Sequence, residues 1–583
     1  MAAALLCDIN SWGHQFVMDD LDYIVHNPVI QNPGHLLQIF NSPFVHFPSV
    51  TLDLYRPLTA FTLALNYWIS GAQPDSFHPF NRLLHLLTCL GIFWTVRRLI
   101  PARPTVAFVT SLLFAVHPIQ TEAITYISGR ADALAMLLFV FAWLSFIRMR
   151  QAASPLFPYL TSAVLYFLAL LSKESAVTWL GVVLLTEWVY FSRGNIASFL
   201  GRLRGDFWRV YSGYLLITLA YLGLRFAVFR GIAITPTKFL VNPLISAGLA
   251  GRLLTSLKIF FQSIALLLFP LHFSPDYTFN QIPVVDRWAS LAGLVTLLMT
   301  AAFLALLVWS YKRSLNLFFC LSYFAITYSI VSNLFVLIGT NRADRLLYMP
   351  ALGFCLSAGF AWAYLEGVAR TSAWKNTVRA MGVVILLVLA GRTVVRNGDW
   401  QDQFTLYLRA VRHFSQSVKM HGYLGEQYFS RNEFAEARKQ YSMALSIYPD
   451  QPDLLNDMGG VLAREGKLQE AIGYFQRALA RGPNDPESIR TNIGLTLGAQ
   501  GNLAGALEQF DWIIQHDPSN SPAHFNKGNV FYLAGKTEEA ISEYNRALEI
   551  DPGNRAARHN LELLLQKITP SSSTRDRTLG LHR

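Results

Sequence analysis

At 583 residues, 52% of them hydrophobic, and with a mean hydropathy of +0.32, the chain is too long for one domain and too apolar for an ordinary soluble protein. Its formal charge of +11 is uneven: residues 1–399 hold 28 Lys/Arg and 16 Asp/Glu, net +12, whereas residues 400–583 hold 20 and 21, net −1. The basic side chains punctuate apolar segments without forming a patch interleaved with aromatics, which excludes a nucleic-acid surface, and the four cysteines show neither a disulfide framework nor metal-ligand spacing.

Met1 to Cys7 reads as the tail of a spanning helix, because crossing a bilayer takes about 20 apolar residues and the chain turns polar at Asp8. No cleavable signal peptide is legible. Long apolar segments follow at 77–96, 105–118, 131–147, 156–171, 175–191, 210–229, 253–271, 288–310, 317–339, 345–366 and 378–396, and hydrocarbon admits these only as helices. Lys/Arg clusters such as Arg97 with Arg98, Arg148 with Arg150, and Lys312 with Arg313 mark cytoplasmic ends. Walking outward from them places the loops at 119–130, 172–174, 230–252 and 272–287 on the opposite, outer side. That parity requires 253–271 to be interfacial or re-entrant and 55–71 to belong to the first outer loop, leaving ten spans, or eleven with the initial one. The acids Asp19, Asp20, Asp22, Asp53, Asp75, Glu122, Asp132, Glu174, Asp276, Asp286 and Asp344 then share the outer face. Acids have little influence on orientation, so the asymmetry marks an active face rather than a topology signal.

Past residue 399 the composition becomes soluble and repetitive. Gly425, Gly459, Gly494 and Gly528 recur at intervals of 34, 35 and 34 residues, with Ala437, Ala471, Ala506, Ala540 and Pro449, Pro483, Pro518, Pro552 in the same register. That is the tetratricopeptide period. The predicted order is a membrane domain over 1–399, then 400–568 with a half repeat at 402–415, four repeats and a capping helix, then a disordered tail over 569–583. By parity the repeats lie on the side of the acids.

Chemistry is sought among charges at the membrane boundary. Asp19 and Asp20, in FVMDDLDYIVHNP, could take a proton from a hydroxyl, since a carboxylate near low dielectric becomes a stronger base; a solvated acidic turn is the plainer alternative. Glu122, Arg130 and Asp132 lie together in HPIQTEAITYISGRAD, where acid and base suit a sugar phosphate or merely staple the loop. Lys173 with Glu174 in LLSKESAV, Arg56 in LYRPL, and Arg342 with Arg345 in TNRADRLLYMP place cations where a leaving phosphate would develop charge, with snorkelling or loop pairing as the alternative. No P-loop, GxGxxG, HExxH, GxSxG or CxxC motif is present.

Taken in order, NSWGHQFVMDDLDYIVHNP, YRPLTAFTLALNYWISG, HPIQTEAITYISGRADALA, LLSKES, SPDYTFNQIPVV and NRADRLLYMPALGF, followed by the repeats, resemble the transmembrane and tetratricopeptide-repeat (TMTC) family of protein O-mannosyltransferases, type C glycosyltransferases. The resemblance implies an all-α polytopic bundle and an α-solenoid. It implies inverting transfer of mannose or a similar sugar from a polyprenyl-phosphate donor to Ser or Thr of acceptor proteins held by the repeats, with a divalent metal as an open option. Asp19 would lead as base with Asp20 in support; Arg56, Arg130, Lys173, Arg342 and Arg345 would face the donor phosphate, and Glu122, Asp132 and Glu174 the sugar or acceptor. The chain has no N-x-S/T sequon, which points to a bacterial inner membrane with a periplasmic site and repeats, or, in a eukaryote, to the endoplasmic reticulum with both luminal. A noncatalytic repeat scaffold and a lipid-linked-glycan transporter remain the competing readings.

Overall fold

The computed structural model describes residues 7–47, 50–52, 54–229 and 239–568. Residues 1–6 of the expected helix tail Met1 to Cys7, the expected outer-face Asp53 and the expected disordered tail at 569–583 fall outside these residues. The chain divides into two units, Met1–Ser417 and Val418–Arg583. The helix Gln403–His413, expected as a half repeat, belongs to the first unit, where Phe414 packs on Ile259, Tyr277 and Ile282.

The first unit is helical apart from a two-stranded antiparallel hairpin, Val45–Phe47 with Val50–Leu52. Proline occupies the first turn of Pro57–Ser70, Pro74–Leu99 and Pro104–Val116, where its missing N–H costs no helical hydrogen bond. Among the described residues six helices are long and apolar enough to cross a membrane: Ile127–Gln151, Ile196–Phe229, Leu249–Leu268, Leu291–Arg313, Ala351–Val368 and Ser372–Trp400. A seventh arises if Pro104–Val116 and Pro118–Ile124, bent by 54°, form one broken span.

The expected ten spans are therefore too many by this measure, for identifiable reasons. Leu156–Ser172 and Leu315–Ser329 have 17 and 15 residues, so they rise about 26 and 23 Å against a hydrocarbon core of about 30 Å. Residues 174–191 break into a 3-10 turn, a two-turn α-helix and a wide final turn. Asn81, Arg82 and His85 dilute the apolar stretch of Pro74–Leu99. Of the segment expected to be interfacial, 253–271, residues 253–268 are instead part of the continuous 20-residue helix Leu249–Leu268, with the length and composition of a span. One apolar core, including Trp143, Tyr166, Trp179 and Tyr214, holds these helices together.

In the second unit, helical hairpins follow the predicted register: Val418–Ser430 with Phe434–Ile447, Pro452–Arg464 with Leu468–Ala480, Pro486–Ala499 with Leu503–His516, and Ser521–Leu533 with Thr537–Ile550, closed by Arg555–Ile568. A Cβ added at Gly425, Gly459, Gly494 or Gly528 would lie 2.5–2.7 Å from the ring of Tyr441, Phe475, Phe510 or Tyr544. The repeating glycine is thus the spot where each second helix lays an aromatic ring onto the first.

Candidate functional site

Asp19 and Asp20 lead into the wide helical turn Leu21–Val25, and their neighbours set them apart. The Asp20 carboxylate is buried and full: Oδ1 accepts from the Ser128 backbone N at 2.8 Å and Ser128 Oγ at 2.5 Å, and Oδ2 accepts from Val17 N at 3.2 Å. Burial pushes its pKa up to about 7, against the lowering pull of those hydrogen bonds. Asp20 therefore ties the first loop to the turn Ile127–Gly129, and Gly129 lets that turn sit against the Glu122 carbonyl, where a Cβ would collide. The Asp19 carboxylate is half-buried and accepts no hydrogen bond from the protein among the described residues, while its backbone N donates to Tyr126 Oη at 3.2 Å.

Tyr126 leads from Asp19 into the cluster. Its ring stacks on Trp400 with centroids 5.2 Å apart and lies 5.8 Å from the Arg345 guanidinium. Arg345 donates through Nη1 to Glu122 Oε1 and through its backbone N to Oε2 at 3.0 Å, and it lies within electrostatic reach of Asp19 and Asp132. Beside this pair, Lys173 Nζ donates to Asp132 Oδ2 at 2.6 Å, and Arg56 donates to Glu174 through Nε at 2.9 Å and Nη2 at 2.6 Å. Local structure positions both corners: Lys173 ends the helix Leu156–Ser172 in extended backbone, Arg56 precedes Pro57–Ser70, and Thr59 Oγ1 donates to the Ser172 carbonyl to join them. Burial alone would raise the Glu174 carboxyl, but the Arg56 guanidinium, with help from Lys173, holds it down to about 2.

A third group abuts these pairs. Arg342 lies 4.4 Å over the Tyr277 ring, Tyr277 Oη donates to Asp344 Oδ1 at 2.9 Å, and Arg342 Nη2 and Arg396 Nη2 stand 3.6 and 4.0 Å from the Asp344 oxygens. Asp344 and Arg396 are within electrostatic reach of Glu122. Several buried polar atoms here lack a hydrogen-bond partner: Arg342 Nε and Nη2, Arg396 Nη2, Asp344 Oδ2, Asn341 Oδ1 and Trp400 Nε1. Leaving one such atom unpaired costs about 1–3 kcal/mol, more when charged, so their concentration marks a place where a polar ligand has hydrogen bonds to gain.

A model of the tetratricopeptide repeat matches residues 388–452, 448–486 and 491–555. The chain is 26% identical over 596 residues to mouse Protein O-mannosyl-transferase TMTC3, covering 96% of this chain and 64% of that protein. It is 30% identical over 503 residues to human TMTC1, covering 78% and 55%, and 27% identical to fruit-fly Tmtc3, covering 87% and 57%. All three relatives bear the name Protein O-mannosyl-transferase. The chain spans between half and two thirds of the length of these three. Among solved structures, YrrB, a tetratricopeptide-repeat protein, is 25% identical with a TM-score of 0.25 over 27% of this chain and 81% of its own.

The motifs that resemble the TMTC family thus converge: Asp19, Arg56, Glu122, Asp132, Lys173, Glu174, Arg342 and Arg345 share one electrostatic neighbourhood. Arg130 does not join it as a phosphate contact. It is fully buried and spends its N–H groups on Asn81 Oδ1 at 2.7 Å, the Thr62 carbonyl at 2.9 Å, Asn66 Oδ1 at 2.6 Å and the Phe77 carbonyl at 3.2 Å, with its guanidinium 4.5 Å from the Phe80 ring. It binds the helices Pro57–Ser70 and Pro74–Leu99 to its own. Sequence reasoning missed Tyr126, Tyr277, Arg396 and Trp400. Arg396 alone carried a signal, a charge at the end of an apolar segment. Among the described residues no three His, Cys, Asp or Glu side chains gather as a metal-ligand set.

Proposed function

We propose that the chain is a multi-pass membrane glycosyltransferase that moves a sugar, mannose or a close relative, from polyprenyl phosphate to a Ser or Thr hydroxyl of an acceptor protein held by the repeats, with inversion. In this reading the hydroxyl gives its proton to the Asp19 carboxylate as its oxygen bonds to the anomeric carbon. The bond from that carbon to the phosphate oxygen breaks, and polyprenyl phosphate leaves with the electron pair. The observation that carries the proposal is the set of buried, unpartnered N–H groups on Arg342 and Arg396 in the same cluster as Asp19. Arg56, Lys173 and Arg345 hydrogen-bond a carboxylate directly, and Arg396 Nη1 does the same to Asp399, whereas Arg342 Nε and Nη2 and Arg396 Nη2, which stand 3.6–4.0 Å from Asp344 at the nearest, retain hydrogen bonds to give to a phosphate. In this reading the site and the repeats face the periplasm or the lumen.

The test is the purified chain in lipid nanodiscs with a β-linked polyprenyl-phosphate [14C]mannose and an unfolded, Ser/Thr-rich protein. Label should enter the acceptor and be released by alkaline β-elimination, and Arg342→Gln should raise the donor KM at least about tenfold, about 1.4 kcal/mol. Transfer from a nucleotide sugar with none from the lipid-linked sugar would refute the proposal.

A further inference from the structure

A second group of charges gathers at the opposite end of the membrane helices from Asp132 and Lys173. The helix Ile127–Gln151 leads from Asp132 to Arg150, 18 residues on and so about 27 Å along its axis, close to a hydrocarbon thickness of about 30 Å. There Arg150 Nε lies 2.9 Å from Glu187 Oε2, Arg150 Nη1 donates to Asp206 Oδ2 at 2.6 Å, and Arg202 Nη1 stands 3.8 Å from Glu187 Oε1. Two acids thus meet two arginines, whereas Arg193, Lys312 and Arg313 are exposed and pair with no carboxylate among the described residues. Beside them a cleft of about 350 Å³ opens between helices, walled by Leu184, Trp188, Phe199, Leu307 and Phe318. Gly181 lies at its far end, where a Cβ would come within 2.8 Å of Ile326 Cγ2, so the helices close together there. The cations stand at its mouth. Tyr311, next to Lys312, donates through Oη to the carbonyl of Gly194, next to Arg193, at 2.9 Å, and its ring centroid lies 5.5 Å from that of Trp188. Trp188 Nε1 is buried with no acceptor among the described residues.

We infer that this cleft holds one acyl chain of an anionic phospholipid, whose phosphate rests against Arg193, Lys312 and Arg313 and whose ester carbonyl accepts from Trp188 Nε1. The inference goes beyond sugar transfer and does not rest on it. An apolar wall at this depth is covered by hydrocarbon, so the chain alone selects nothing; selection comes from the mouth. Three cations without carboxylates repel the ammonium of a zwitterionic headgroup and attract a headgroup of net negative charge. The aromatic rings of Tyr311 and Trp188 stand where such rings are favoured, between the apolar tail and the wet headgroup. An indole N–H buried without a partner is costly, and a glycerol ester at the mouth relieves that cost. The isoprenoid chain of a sugar donor is a poorer occupant, because its phosphate would then lie about 27 Å from Asp132 and the cluster around it.

The experiment is native mass spectrometry of the full chain, delipidated in detergent and titrated with palmitoyl-oleoyl phosphatidylglycerol or with the phosphatidylcholine of the same chains. One phosphatidylglycerol should bind about tenfold tighter than phosphatidylcholine. Combined Arg193→Gln, Lys312→Gln and Arg313→Gln should bring the two lipids within about twofold of each other. Ala325→Trp fills the cleft, which Ala325 also lines, and leaves every charge in place; it should weaken phosphatidylglycerol about tenfold. Trp188→Phe keeps a ring on the wall and removes the N–H, and should lose about threefold. An excess of polyprenyl phosphate should leave the bound phosphatidylglycerol in place. Equal affinity for the two lipids, a preference that survives the triple substitution, unchanged binding by Ala325→Trp, or displacement by polyprenyl phosphate would overturn the inference. No sugar is transferred in this assay, so its failure leaves the transferase proposal standing.

Discussion

Asp20 holds its charge-bearing oxygens against Ser128 and Val17 in a place from which water is excluded, while Asp19, one peptide bond away, keeps its carboxylate unoccupied. Desolvation raises the Asp20 pKa from an ordinary 3.8 to about 7. For an acid whose folded pKa lies above its unfolded one, the stabilisation is complete below about pH 4 and is lost as pH rises through 7, a span worth up to roughly 4 kcal/mol. The wild-type thermal midpoint should therefore fall by several degrees between pH 5 and 8, and Asp20→Asn, neutral throughout, should flatten that fall. Parallel curves for the two proteins would show that Asp20 carries no such proton. The DD pair was visible in the sequence as a candidate, but the division of labour was not: it depends on a serine 108 residues away. Arg130 misleads for the same reason, since a charge beside Asp132 reads as its partner until the fold brings Asn66 and Asn81 to it.

At the scale of elements, legibility follows periodicity. The repeats could be placed to within a residue or two because glycine, alanine and proline each recur for a packing reason that every hairpin shares. Gly494→Val adds carbon where the first new atom already lies 2.7 Å from Phe510 Cζ, so the hairpin must open. The expected cost is about 1–3 kcal/mol, read as a lower midpoint of the helical circular dichroism transition and faster proteolysis between residues 486 and 516. An unchanged midpoint would contradict the packing given to this position. Membrane helices lack such punctuation. Hydropathy located every apolar segment, yet Leu315–Ser329 stops ten residues before the apolar run ends, and Leu249–Leu268 is continuous where charge parity required an interfacial stretch. Parity counts only the side on which each loop emerges, and helices shorter than the bilayer, buried among others, break that count.

At the scale of the membrane-helix unit, segments up to 223 residues apart build one charged cluster. Glu122 meets Arg345, Asp132 meets Lys173, and Glu174 meets Arg56, while the Asp19 carboxylate accepts no hydrogen bond among the described residues. The order of motifs made that assembly legible as a resemblance, but not which charges neutralise one another and which stay available. The most direct test is single-turnover transfer from the lipid-linked sugar by Asp19→Asn, a change that breaks no side-chain hydrogen bond in the fold. The rate should drop by at least about a hundredfold while donor binding is retained, in line with the contribution of a general base. Transfer at the wild-type rate would show that Asp19 is not the base.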